Sequence, residues 1–264
     1  MNIFLRELKA NSRSLIIWSV IVILFVMVGT SKFSAYYENP EMLAILDDMP
    51  KAMLAAFSLQ AFNLTTISGF FGLMFTYYAL MLSIAAAMWG SDIISKEERD
   101  KTVEFALTLP VTRGRVVTAK ALAALVNCVG LLLITWGVSL VSATPYQPDS
   151  EFFKFVSLCM VALFIMQMLF LAVGIFLGCA MKQYRRASSL AVSLLLGTYF
   201  LSILPGLNKD LDFVKYFTPF KYFDAGMLLR ESRFDVTFIL LSLAIIVASM
   251  AGAYLTYTRR DLYI

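Results

Sequence analysis

The chain has 264 residues, 60% of them hydrophobic and only 15% charged, with 22 Lys and Arg against 18 Asp and Glu. Soluble domains hold roughly 45–50% apolar and about 25% charged residues. A water-solvated domain and a disordered chain are therefore both excluded, and a mean hydropathy of +0.78 points to a bilayer. Histidine is absent, which removes imidazole bases, His-containing zinc sites and Ser-His-Asp triads together. Cys128, Cys159 and Cys179 sit inside apolar runs without CxxC spacing and read as packing residues.

In chain order, residues 1–14 place Phe4, Leu5, Leu8 and Leu15 on one helical side and Arg6, Lys9 and Arg13 on the other. This is the pattern of an interfacial helix whose basic face suits anionic headgroups. Six charge-free stretches follow, at 14–31, 70–91, 121–142, 155–181, 187–204 and 236–258. A hydrocarbon core of about 30 Å takes roughly 20 helical residues, so each is expected to cross it. The first and fifth are short, but Arg13, Lys32, Arg186 and Lys209 flank them with stems long enough to reach the headgroups. The first stretch reads as a retained span, because Gly29-Thr30-Ser31 lacks a small-x-small cleavage pattern. The fold expected is an all-α integral membrane protein in which residues 1–264 form one domain.

Orientation follows the basic residues. With the N-terminus in the cytoplasm, fourteen Lys and Arg fall inside and eight outside, and eleven of the eighteen carboxylates fall outside. Both termini are then expected in the cytoplasm, with the chain in the cell membrane. The 205–235 segment contributes little to this choice, since its five basic residues are matched by five acids.

The connecting segments differ in character. The outside segment 33–68 is acidic at first and then apolar. Segment 92–120 is the longest inside loop: Ser95 followed by Glu98 reads as a capping box, and Glu97 with Lys101 as an i, i+4 pair. Val103, Ala106 and Leu107 supply an apolar stripe before Pro110. So small a stripe cannot hold a helix in water, and it needs the spans, the membrane surface or a partner to lie against. The outside segment 205–235 carries Phe213, Tyr216, Phe217, Phe220, Tyr222 and Phe223 interleaved with Lys215 and Lys221, a mix suited to interfacial helices before the sixth span. Nucleic acid is not expected as a partner on that side of a membrane.

No Asp, Glu, Lys or Arg falls at mid-depth in a span, which speaks against an ion-driven pump. Asn127 and Gln167 are the strongest polar residues there and either line a pathway or make interhelical hydrogen bonds. Gly174 with Gly178, and Ala248 with Gly252, read as close-packing sites. The sequence has no GxxxxGK[ST] phosphate loop, so an energy source must come from elsewhere. Glu97-Glu98 is similar to the paired glutamates of membrane-embedded prenyl-protein peptidases, but that family needs later histidines.

The chain resembles the type-2 permeases of ATP-binding-cassette transporters over nearly its full length. The N-terminal helix looks like that family's elbow helix. Glu98, Thr102-Val103-Glu104, Leu107, Pro110-Val111, Arg113 and Lys120 resemble its signature between spans two and three. Thr218-Pro219-Phe220 with Tyr222-Phe223-Asp224 is similar to its aromatic stretch before the last span, and Arg259-Arg260-Asp261 to its closing RRD. Lys101 stands where a glycine is commoner.

The resemblance implies a non-enzymatic permease that pairs with a second permease subunit, as a homo- or heterodimer, and with separate cytoplasmic ATPase subunits that hold the ATP and magnesium. A coupling helix over 96–109 would carry Glu97, Glu98, Thr102, Glu104 and Leu107 into the ATPase, with Pro110 and Arg113 following. Gln183, Arg185 and Arg186 would form a second, smaller contact. The cargo implied is an amphiphile such as a lipid, hydrophobic peptide or drug, moved outward. The alternative function is a non-transporting scaffold, immunity or sensory subunit docking a cytoplasmic partner.

Overall fold

The computed structural model describes residues 3–37, 39, 62–99, 111–181 and 183–259. Its elements are helical, with no strand among the described residues. Helices α1 (Ile3–Phe33), α2 (Ile67–Arg99), α3 (Arg113–Ala143), α4 (Ser150–Ala180) and α5 (Tyr184–Leu201) are followed by the short α6 (Leu204–Leu207). After two 3-10 turns (Lys209–Phe217 and Pro219–Lys221) come α7 (Ala225–Glu231) and α8 (Val236–Arg259). Helices α1 to α5 and α8 supply six segments long and apolar enough to cross a membrane.

The six expected spans are all present, and most of their helices outrun the charge-free stretches. At 1.5 Å per residue the 33 residues of α2 reach about 50 Å, well beyond a 30 Å hydrocarbon core. Charge ends the apolar stretch but does not unwind a helix. This corrects two boundaries. The 1–14 stretch is not a separate element, because residues from Ile3 onward are the first turns of the unbroken 31-residue α1. Ser95 is not a helix cap either: it lies inside α2, buried, and its Oγ donates back to the Ser91 carbonyl at 2.7 Å. A serine four residues past a free carbonyl inside a helix satisfies itself this way and starts nothing. Caps are found instead at Thr112, whose Oγ1 accepts from the Arg115 amide at 3.4 Å, and at Asp149, which accepts from the Phe152 amide at 2.8 Å.

The bundle is built on α2 and α4, which make the most extensive helix pair and bury most of their apolar residues. Their backbones approach closely. A Cβ on Gly90 would fall 2.5 Å from the Leu171 carbonyl oxygen, and one on Gly174 2.5 Å from that of Ala87. One on Gly178 would lie 2.9 Å from the Ser91 oxygen. The GxxxG of α4 is thus a packing seam, as its spacing predicts. Gly252 of α8 likewise faces the Phe176 ring. Cys128, Cys159 and Cys179 are free thiols buried in the core.

Around this pair, α1 packs chiefly along α3, α5 lies on α2, and α8 on α4. Helices α1, α5 and α8 stay mostly uncovered, and Ile16, Ile17, Val20, Leu24 and Met27 present an outward apolar face on α1. Between α1 and α2 the contact runs through long side chains in constant antiparallel register. The rungs are Glu7 with Lys96, Ser14 with Trp89, Phe25 with Tyr78, and Phe33 with Phe70. Steps of seven, eleven and eight residues along α1 are matched by equal steps back along α2. Those steps are close to whole turns, so one stripe of α1 faces α2 along its length.

At the far end of the bundle, Phe213, Tyr216 and Phe217 of the first 3-10 turn are exposed. Lys215 donates to Asp212 at 2.6 Å, which holds the ammonium pKa above the ordinary lysine value, and lies 5.5 Å from the Tyr216 ring centre. Tyr222 donates to the Tyr216 carbonyl at 2.7 Å and stacks on Phe238, tying the segment to α8.

Candidate functional site

The near end of the bundle, where α1 begins, holds Glu97, Glu98, Arg113, Gln183, Arg185 and Arg186 of the residues that the sequence singles out. Glu97 and Glu98 belong to the last turn of α2. Thr102, Glu104, Leu107 and Pro110 lie outside the described residues, as do Lys101 and the closing Arg260-Asp261. The described chain resumes just before α3, whose first residue is Arg113. On the opposite side of the α2–α4 seam, α4 ends and α5 begins after a connection at residues 181–183. Gly178, one turn before that connection, sits against Ser91 and Ile94 of α2. The second expected contact therefore shares an end of the bundle with the root of the first. Gln183 is an exposed, extended residue whose carbonyl accepts from the Arg186 amide at 3.0 Å, and the Arg186 side chain is exposed. Arg185 is in the first turn of α5.

Arg113 does more than border the 100–110 stretch. Its Nη1 reaches the carbonyl oxygens of Tyr257 and Thr258, both at 3.4 Å. A cation beside the last carbonyls of a helix meets the negative end of its dipole. One helical turn on, Thr118 and Tyr254 share a hydroxyl–hydroxyl hydrogen bond at 2.7 Å. The start of α3 is thereby fixed to the end of α8.

A charged cluster that sequence reading missed completes this end. Glu7 on α1 is fully buried and forms an ion pair with Lys96 of α2. The Arg6 guanidinium donates to the other Glu7 oxygen at 3.4 Å. Lys120 on α3, also fully buried, donates to the Ile93 carbonyl of α2 at 2.8 Å. Two turns deeper, the Trp89 indole donates to Ser14 Oγ at 2.9 Å. The first turns of α1 and α3 and the last turns of α2 are thus locked to one another. A signal was present: Glu7 is the one acid among Arg6, Lys9 and Arg13, and it stands on the apolar side with Phe4, Leu8 and Leu15. Lys120 stands likewise among Val116, Val117, Ala123 and Ala124 on the buried face of α3. A charge in register with an apolar stripe must be buried, and a buried charge needs a partner.

Asn127 and Gln167 are both buried where α3 meets α4. Gln167 Nε2 donates to the Cys128 carbonyl at 3.3 Å, the interhelical bond that its type and depth allowed. Asn127 Nδ2 and Gln167 Oε1 have no hydrogen-bond partner among the described residues. Both residues face the interior of the helix bundle in this structure. No group of three or more metal-binding side chains occurs among the described residues.

Among known families, the one described as ABC-2 family transporter protein matches residues 1–262, essentially the whole chain. No curated protein matches it.

Proposed function

The chain belongs to the ABC-2 transporter family, and from that premise we propose that it is the membrane-spanning permease subunit of an ATP-driven exporter. Membership carries the association with ATP-binding-cassette ATPases, and a six-helix apolar bundle supplies the multi-pass membrane part. The observation that carries the assignment is the family match over 1–262 in a chain whose sequence has no phosphate loop.

The near end of the bundle is the cytoplasmic face of the cell membrane, with both termini there. Segment 100–110 and the last turn of α2, with Glu97, Glu98, Thr102, Glu104 and Leu107, seat in a groove of the ATPase. The Gln183–Arg186 stretch makes the smaller contact. Support comes from the meeting of α1, α2, α3 and α8 ends at that face, where the Arg113, Lys120 and Glu7 contacts turn four helix ends into one body. A push on any of them then tilts spans together. ATP and magnesium stay in the ATPase, and a second permease subunit completes the path. The charge-free spans suit an amphiphilic cargo better than a small ion.

Co-expression of the tagged chain with a candidate ABC ATPase from the same organism, followed by gentle solubilisation, tests this. A stable complex is expected, weakened at least several-fold by Glu98→Lys or Glu104→Lys while the chain stays inserted. Undiminished recovery with both substitutions would remove the docking segment from the proposal. Maleimide labelling of R113C and R260C in intact cells should fail until the membrane is opened, and labelling from outside would reverse the orientation.

A further inference from the structure

We propose that Glu7 is the joint that carries movement of the cytoplasmic docking segment into α1, and that it does so through Lys96. The inference deepens the permease assignment and rests on it.

Lys96 is in the last turn of α2, four residues before the 100–110 stretch that is to meet the ATPase. Glu7 is fully buried on a different helix, and Lys96 is nearly so, so their charges meet in a site screened from water. Such a pair resists separation strongly, since parting it strands a carboxylate in a poorly polarisable site. Pulling the end of α2 therefore pulls the start of α1.

The rest of α1 is arranged to turn that pull into motion. Helix α1 is one 31-residue rod, so a displacement at Glu7 is felt along its length. Its closest packing is along α3, whereas α2 reaches it through the spaced rungs Glu7–Lys96, Ser14–Trp89, Phe25–Tyr78 and Phe33–Phe70. Aromatic rungs and a lone neutral hydrogen bond can slide or tilt with little loss, while a buried ion pair cannot. The rung that resists sliding is the one nearest the docking segment. Lys120, by bonding to the Ile93 carbonyl one turn before Lys96, holds α3 to the same stretch of α2. Opposite these contacts α1 presents an uncovered apolar face, free to move against lipid or a second permease.

The test uses the full chain with its ATPase in lipid nanodiscs. Spin labels are placed at K9C and R259C, two exposed near-end positions on α1 and α8, after the three native cysteines are replaced by Ala. With Glu7 intact, trapping with ATP and vanadate is expected to change the label separation. Glu7→Gln, nearly the same shape without the charge, should bind the ATPase as tightly yet lose at least half of that change. Glu7→Lys combined with Lys96→Glu should restore it, which a merely structural role for either residue would not predict. A full change in the Glu7→Gln complex, or no restoration by the exchange, overturns the inference. If the unaltered chain binds the ATPase but its labels do not move on trapping, the permease assignment stands and the joint does not. If it binds no ABC ATPase, both fall.

Discussion

Substituting Gly174 by alanine tests the seam on which the bundle is built. The added methyl would stand 2.5 Å from the Ala87 carbonyl oxygen and 3.1 Å from the Ser91 nitrogen, both backbone atoms of α2. Ordinary contact begins near 3.4 Å, so the helices must part by roughly 0.9 Å, and no rotamer change can spare them. A gap of about 0.5–1 Å forfeits a quarter to a half of each dispersion contact it opens, and this is the most extensive helix pair in the protein. The expected cost is about 2–3 kcal/mol, the upper part of the range for overpacking. Gly197→Ala is the matched control, since nothing lies within 4 Å of its position, and it should be neutral or better by a few tenths of a kcal/mol. Reversible unfolding of the purified chain in mixed micelles, titrated with SDS, measures both. Equal midpoints for Gly174→Ala and Gly197→Ala would show that α2 and α4 do not cross backbone to backbone, and the placement of every near-end group on those helices would go with it.

Other substitutions separate the near-end contacts by kind. Lys96→Met leaves the Glu7 carboxylate buried with only the longer Arg6 contact and should cost about 3–5 kcal/mol in the same unfolding assay, whereas Lys120→Met should cost about 1.5–3 kcal/mol for the lost charged hydrogen bond to Ile93. Gln167→Leu removes a 3.3 Å interhelical bond but also an unpaired buried oxygen, so stability should change by less than about 1 kcal/mol; a larger loss would mean that Gln167 Oε1 has a partner. Arg113→Ala should cost only about 0.3–1 kcal/mol overall, yet raise amide hydrogen exchange at the end of α8, residues 254–259, while leaving the end of α2 unchanged.

What the sequence disclosed follows from which physical demands are local. Crossing hydrocarbon requires about 20 apolar residues in a row, so hydropathy located all six spans. The same criterion set several helix ends short, because Glu97 to Arg99 and Arg113 to Lys120 continue their helices past the apolar stretches. Ser95 satisfied the spelling of a capping box while standing in mid-helix, since four letters do not report whether the preceding residues are already helical. The small-residue pair Gly174 and Gly178 was legible as a seam, but its partner Gly90, with no second glycine four residues away, was not.

Burial of charge is the least local of these demands. Arg6, Glu7, Lys9 and Arg13 look alike in a composition count, and a positive-inside tally weighs Lys96 and Lys120 only by the side they fall on. Helical register separates them, because Glu7 and Lys120 fall on the apolar stripes of α1 and α3 while Lys9, Arg13 and Arg115 fall on exposed faces. Each buried charge costs several kcal/mol unless a partner meets it, so a charge on an apolar stripe near a span's end already states that another helix arrives there with a complementary group. Only the identity of that helix had to come from three dimensions. For Glu7 it is α2, in its last turn, and a bundle held together solely by apolar packing would have had no reason to put its most water-demanding side chains at that point.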